Sequence, residues 1–312
     1  MTYDIIPDIH GQFEKLTGLL RKLGWGRTPA GWRNDDANRQ IVFLGDFIDR
    51  GPENAAVLNT VRSLVDAGKA QAVMGNHELN ALHYHTPSRI QRGEYLRPHT
   101  AKNTRQHASF LREFPLGAKE TQATLDWMAQ LPLFLETDTF RAVHACWNDK
   151  IISQLEAETK SGVLQEGQIA RAADKADPLF ELVDVTTKGP EAPLPVGYTF
   201  SDKDGTERNH VRVKWWQSGA RTWDALAMSV PDPTELPINP IPASVSDMTY
   251  PKTAKPVFFG HYWLTGEPVL QAANALCLDY SAGKDGPLIA YRMEGEDQAL
   301  SPHRIAGMQP SI

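Results

Sequence analysis

The strongest constraint on how this chain can fold is a recurring order: an apolar, strand-like run and then, at once, a short polar patch. It occurs five times, at Asp8-Ile9-His10-Gly11, Gly45-Asp46-Phe47-Ile48-Asp49-Arg50-Gly51, Gly75-Asn76-His77-Glu78, Val143-His144-Ala145 and Gly260-His261. Tyr3 to Pro7 reads as a strand and leads into a helix in which Phe13, Leu16, Leu20 and Leu23 recur at helical spacing up to Gly24. Gln40 to Leu44 is a second strand, a helix carrying Val57, Leu58, Val61, Leu64 and Val65 follows Gly51, and Ala70 to Met74 is a third strand. Strands alternating with helices predict an α/β core, whose ligands gather beyond the carboxyl ends of the strands. All five patches stand in that position.

The 312 residues suffice for one large domain or two modest ones. Asn103 to Phe114 and Thr121 to Gln130 read as helices, the second opening on Thr121 as its cap and stopping at Pro132. Leu133 to Glu136 and Thr139 to His144 are strand-like. Residues 145–256 separate the last two patches; they begin as helices and turn polar, with a hairpin at Asp202-Lys203-Asp204-Gly205. We read them as a cap inserted into a core made of residues 1–144 and 257–312. Seven prolines between residues 229 and 256 predict an extended wrapping segment there rather than helix. Strands return at Val257 to Gly260, Ala275 to Leu278 and Pro287 to Met293.

The patches offer carboxylate, amide and imidazole but no thiolate, a donor set that suits Mn, Fe or Zn. Asp8 and His10 would serve one ion together with Asp46, and Asn76, His144 and His261 a second, with Asp46 as the bridging carboxylate. Two ions about 3.5 to 4 Å apart can clamp a phosphoryl group and orient a bridging water for in-line attack. Arg50 would then hold phosphate oxygens in its planar fork. His77, oriented by Asp49, would protonate the leaving alkoxide. Glu78 reads as a carboxylate at a helix N-terminus, where negative charge is favoured, and His83 and His85 as structural histidines.

These motifs resemble those of the phosphoprotein phosphatases within the calcineurin-like metallophosphoesterases: GDxHG, GDxxDRG and GNHE, then two later histidines. The match is strong over residues 3–84 and weaker at 143–147 and 257–293. The resemblance implies a four-layer α-β-β-α sandwich with an inserted cap, two divalent ions and Asp8, His10, Asp46, Asn76, His144 and His261 as their ligands. It implies hydrolysis of phosphate monoesters by direct attack of a metal-bridging hydroxide, with Asp49, Arg50 and His77 in the roles given above and Asp279 supporting the site from behind. The first motif departs from the pattern, since Pro7 stands where the family has glycine.

The substrate class stays open between phosphoprotein, nucleotide or dinucleoside polyphosphate, and RNA end. Candidate substrate groups are Arg97, His99, Lys102, Lys188, Arg208, Arg212 and Lys214, with Trp215 and Trp216, although Val211 to Trp216 reads first as a strand with alternate faces buried and solvated. The other reading is a degenerate phosphatase that serves as a binding or regulatory module. A net charge of -6 gives no footprint for long nucleic acid, although bound cations would change the local sign. No apolar run approaches the roughly 20 residues of a membrane span. Cys146 and Cys277 form no disulfide-framework pattern, so a cytoplasmic protein is expected.

Overall fold

The computed structural model describes residues 1–29, 31–90, 92–294 and 299–307, so residues 295–298 and 308–312 of the expected core lie outside it. Two sheets carry the fold. The first has five strands in the order Ile305–Gly307, Ile289–Met293, Thr2–Ile6, Arg39–Phe43 and Ala70–Ala72. Its last three are parallel, and Ile289–Met293 runs antiparallel to Thr2–Ile6. The second has four strands in the order Ala275–Cys277, Val257–Phe259, Arg141–Val143 and Phe134–Glu136, the first three parallel.

Strands buried on both faces read as nearly continuous apolar runs, and alternate residues serve opposite faces. Ile41 and Phe43 join the cluster that also takes in the helices, while Val42 and Leu44 join a second cluster with Phe140, Phe258, Leu276 and Tyr291. This second cluster is the layer between the sheets. Phe258 of one sheet lies 5.0 Å from Tyr291 of the other, ring centre to ring centre, and Phe140 lies 5.0 Å from Tyr3. Outside the sheets pack Phe13–Lys22 through Leu16, Leu19 and Leu20, Asn54–Asp66 through Val57, Val61 and Leu64, and Asp149–Glu158 and Pro178–Lys188 through Leu155 and Val183. The expected order of layers, helix, sheet, sheet, helix, is the one found.

Residues 145–256 contribute helices and a three-stranded sheet of Glu191–Pro193, His210–Val213 and Ala227–Met228. Their buried side chains Leu155, Val183, Trp215 and Trp223 belong to the same cluster as Leu16 and Phe43. Trp215 is fully buried and donates its indole N–H to the Ala145 carbonyl at 2.9 Å and the Tyr262 hydroxyl at 3.0 Å. Trp215 and Trp216 are therefore core, not a substrate platform. The Asp202 hairpin forms as expected, with Asp202 Oδ1 accepting from the backbone of Asp204 and Thr206.

Three expectations need correction. The single helix from Asn103 to Phe114 is two, Ala101–Gln106 and Ala108–Glu113, because His107 leaves helical geometry at φ -99° and ψ 4° and turns its ring into the site. The next helix starts at Lys119, not at Thr121, whose hydroxyl instead donates to the Pro115 carbonyl at 2.8 Å. The proline-rich stretch includes single helical turns at Pro233–Glu235 and Ala243–Ser246, since proline is accommodated at a helix start. A hairpin of Trp25–Thr28 and Gly31–Asn34 was not anticipated. Among the described residues no helix is long and apolar enough to cross a membrane.

Candidate metal centre

Four patches lie at the carboxyl ends of strands or in the loops that leave them, the third, Gly75 to Glu78, opens the helix Asn76–His85, and the loops are held in costly backbone conformations. His10, Asp46, Asp49, Arg50 and His261 have φ of 49°, 53°, 69°, 65° and 74°. Each left-handed non-glycine residue costs on the order of 1–3 kcal/mol and persists only where its surroundings over-determine it. Here they do. The His10 and Ile9 amides both donate to the Asp46 carbonyl at 2.9 Å, and the Gly51 amide donates to the His10 carbonyl at 2.9 Å. The Glu78 carboxylate accepts from the amides of Asp46, Phe47 and Gly75 at 2.8, 2.8 and 3.0 Å, so it organises two loops rather than only its own helix. Glycine is required where these loops touch: a Cβ on Gly260 would stand 1.9 Å from Asp8 Oδ2, and one on Gly75 would stand 2.2 Å from Asp46 Oδ1. Pro7 is not among the described non-glycine residues with positive φ, so its position needs no glycine conformation.

The six expected ligands converge. Asp46 Oδ2 lies 3.6 Å from His10 Nε2 and 3.5 Å from His144 Nε2. His144 Nε2 is also 3.1 Å from Asn76 Oδ1 and 4.0 Å from Asp8 Oδ1, while His261 Nδ1 is 2.8 Å from Asn76 Oδ1. The backbone N–H of His261 donates to both Asp8 oxygens at 3.1 Å. Two sets of donor atoms lie close enough to hold an ion, His10 with Asp46 and His77, and Asp46 with His144 and His261. Asp46 is common to both.

Second contacts decide which ring nitrogen faces the centre. Nδ1 of His10 and of His144 are bonded to the carbonyls of Ile48 and Leu44 at 2.9 and 2.7 Å, which turns each Nε2 inward. Burial pushes His10 down to about 3 and His261 well below its usual value, so both rings are neutral. Among the described residues the Nε2 atoms of His10 and His261 are buried without a hydrogen-bond partner. A neutral, buried, unpaired imidazole nitrogen 3.6 Å from a carboxylate, as His10 Nε2 is from Asp46, fits a metal ligand. Asp46 is held well below the carboxylate range by His144 and His77, against burial that would raise it, and Asp8 is pushed well up by burial and the neighbouring charge of Asp279. Asp279 accepts from the amides of Trp263 and Ser281 at 2.7 and 2.9 Å, fixing the loop that follows His261.

Beside this cluster, His77 Nδ1 is 2.6 Å from Asp49 Oδ2. The other oxygen of Asp49 bonds to His107 Nδ1 at 2.8 Å. Burial would raise Asp49, but the hydrogen bonds from His107 and His77 bring it down to about 2. His77 is raised by Asp46 and Asp49 in spite of burial. His107 is a residue that sequence reasoning missed, although a signal existed: it shares the helical stripe of Phe110 and Phe114, where an apolar residue is expected. Its Nε2 is 3.3 Å from that of His85. Arg50 is exposed, its guanidinium carbon 4.0 Å from the ring centre of Trp263, a second residue without a prior assignment.

A cleft of about 720 Å³ opens next to His77 and Arg50. Of the expected substrate groups, Arg97, Lys102, Lys188 and Arg212 line it, joined by Arg105 and Arg112. Arg208 instead pairs with Asp202 at 2.8 Å, and Lys214 does not line the cleft. The His99 ring stacks on Tyr84 and Tyr95 at 3.9 and 4.1 Å. His83 bonds to the Ile169 carbonyl at 3.0 Å, in keeping with a structural histidine.

Residues 1–262 match the family model described as calcineurin-like phosphoesterase, and the chain belongs to that family. It is 46% identical over 81 residues to the asymmetrical bis(5'-nucleosyl)-tetraphosphatase PrpE of Anoxybacillus flavithermus, 25% of this chain and 31% of that one. With the PrpE of Oceanobacillus iheyensis it shares 32% over 164 residues, 53% and 64% of the two chains. With the symmetrical bis(5'-nucleosyl)-tetraphosphatase of Hamiltonella defensa it shares 30% over 184 residues, 58% and 55%. The matches thus span less than two thirds of these relatives. The cold-active protein-tyrosine phosphatase of a psychrophile Shewanella sp. superposes with a TM-score of 0.50 at 18% identity, over 93% of this chain and 75% of that chain, a likeness of fold.

Proposed function

We propose that this chain is a dinuclear metal-dependent phosphoesterase in which Asp8, His10, Asp46, Asn76, His144 and His261 hold two divalent ions, Mn by preference, with Fe or Zn as alternatives. The observation that carries the reading is a buried, unpartnered imidazole nitrogen, His10 Nε2, 3.6 Å from Asp46, the carboxylate common to two groups of donor atoms. Bound ions would polarise the phosphoryl oxygens and activate a water for direct attack. The chain's own residues supply the rest. Arg50 holds phosphate oxygens on the solvent side. His77, whose Nδ1 is fixed by Asp49, keeps Nε2 toward Asp46 at 4.0 Å and gives its proton to the leaving oxygen.

Within residues 145–256 the helices Asp149–Glu158 and Pro178–Lys188 complete the outer layer of the sandwich and the remainder acts as a cap, and together they bring Lys188 and Arg212 to the cleft. The substrate is a phosphorylated small molecule, nucleotide or phosphoprotein, and the relatives named tetraphosphatases favour the nucleotides. Two buried free thiols, Cys146 and Cys277, suit a reducing compartment, and we place the protein in the cytoplasm. The regulatory-module reading requires loss of a ligand or of His77. All are present and gathered, so it is not favoured.

Hydrolysis of p-nitrophenyl phosphate dependent on added Mn is the first test, and no turnover with metal bound would sink the proposal. With a phosphate ester made chiral at phosphorus by oxygen isotopes, hydrolysis should invert the configuration, as a single in-line displacement by water does, whereas retention would mean a covalent phosphoenzyme intermediate.

A further inference from the structure

We infer that the cleft beside His77 is a phosphate-chain subsite, which selects substrates with several consecutive phosphates by their charge and does not read the nucleoside. The inference rests on the phosphoesterase reading for the position of the reacting phosphate and goes further in naming what lies beyond it. Arg97, Lys102, Arg105, Arg112, Lys188 and Arg212 line this space together with Arg50, and Asp49 is its one lining carboxylate. Both Asp49 oxygens are already engaged, by His77 and His107. Among the described residues only Lys188 of these cations has a carboxylate partner, Asp184. The Arg97 guanidinium meets only the neutral amides of Asn103 and Gln106, at 3.2 and 2.9 Å, and Arg212 Nε is buried without a partner.

So many unpaired cations repel one another across a cleft walled by low-dielectric protein, and a bound polyanion relieves that repulsion. A lone monoester at the metal centre would engage Arg50 and Arg212, the second of which acts electrostatically on His261, and would leave Arg97, Lys102, Arg105 and Arg112 unanswered. A phosphate chain adds negative charge with every unit as it runs away from the metals, and the cleft is large enough to hold one. The cations come from both walls: Arg97, Lys102, Arg105 and Arg112 from the segment around the broken helix, Lys188 and Arg212 from residues 145–256.

The lining also lacks what a nucleobase needs. Its only rings are His77 and His107, both tied to Asp49, and it has no Trp, Tyr or Phe on which a base could stack. The half-buried Trp263 already carries Arg50 at 4.0 Å and Lys284 at 5.0 Å. The same shortage of stacking surface disfavours an RNA end.

The test is competition against p-nitrophenyl phosphate turnover by the metal-loaded protein, with free Mn held constant because polyphosphates chelate it. Inorganic tripolyphosphate should inhibit at least about tenfold more tightly than orthophosphate and within about threefold of diadenosine tetraphosphate, while adenosine should not compete. The advantage of tripolyphosphate should shrink as salt is raised. Diadenosine tetraphosphate binding tenfold or more above tripolyphosphate would show that the nucleoside is read and overturn the inference. So would tripolyphosphate binding no tighter than orthophosphate. Calorimetric titration of the metal-loaded protein with the same ligands keeps the question open to measurement if turnover is absent, so that failure of the phosphoesterase reading is told apart from failure of the subsite.

Discussion

The two sides of the reaction centre are built by opposite means. On the metal side, Asp8, His10 and His144 are fully buried, their loops are locked by backbone hydrogen bonds, and glycines admit contacts that no Cβ would allow. On the cleft side, Lys102, Arg105 and Arg112 are exposed on short helices and hold no ion pairs among the described residues. The first side spends backbone strain to fix atoms before anything binds, which is what positioning and electrostatic preorganisation require. The second acts through charge, which falls off gently with distance and is shared among many groups. Fixed geometry should therefore be intolerant of single changes, and shared charge tolerant of them.

Substitutions can break or sharpen that contrast. His77→Ala should have the largest effect, lowering kcat on p-nitrophenyl phosphate by about 10²–10⁴-fold with metal content unchanged, because the proton donor is gone. Gly260→Ala should come next: its Cβ would collide with Asp8 Oδ2, and a displacement near 1 Å at the centre costs about 10²-fold, read together with bound metal per chain. His107→Ala should lower kcat by about 10–100-fold with little change in KM, as removal of a partner that orients an active residue does, and His107→Asn, which keeps a donor near Nδ1, should recover part of it. Arg112→Gln alone should raise KM for a polyphosphate only a few-fold, roughly what one exposed charge contributes, and less at high salt. If it cost as much as Gly260→Ala, the contrast would fail.

The smallest effect on activity concerns pH. Burial pushes His83 down to about 4, so between its unfolded value near 6.5 and that figure the unfolded chain binds the extra proton. The stability this neutral histidine contributes is complete above about pH 6.5 and is lost as pH falls toward 4. His83→Gln should flatten that part of the profile of melting temperature against pH while leaving turnover at neutral pH nearly unchanged.

What could be read from sequence follows the same division. The metal side was legible because its side chains are spaced by a few residues directly after strand-like runs, in the orders Gly-Asp-x-x-Asp-Arg-Gly and Gly-Asn-His-Glu. The alternation of Ile41, Val42, Phe43 and Leu44 between two cores was hidden, since residues buried on both faces give one apolar run. His107 was hidden because a helical stripe conceals a break within it. Nothing in the spacing of Arg105 and Arg112 marks them out, and only folding brings them to the same cleft as Lys188 and Arg212. Trp215 and Trp216 admitted two readings, stacking beside cations or a strand with one face buried, and the second is the one found, both rings being packed against Phe259.

The indole of Trp215 touches Ala145 and Tyr262, the residues directly after His144 and His261. Gly189, which ends the helix Pro178–Lys188, leaves room for the same Tyr262 hydroxyl, where a Cβ would stand 2.1 Å away. The segment between these histidines is thus not an exchangeable cassette. A chimera that alters an outer turn, such as the Asp202 hairpin, which does not line the cleft, should leave the centre intact, whereas one that replaces the stem removes the brace between the two histidines.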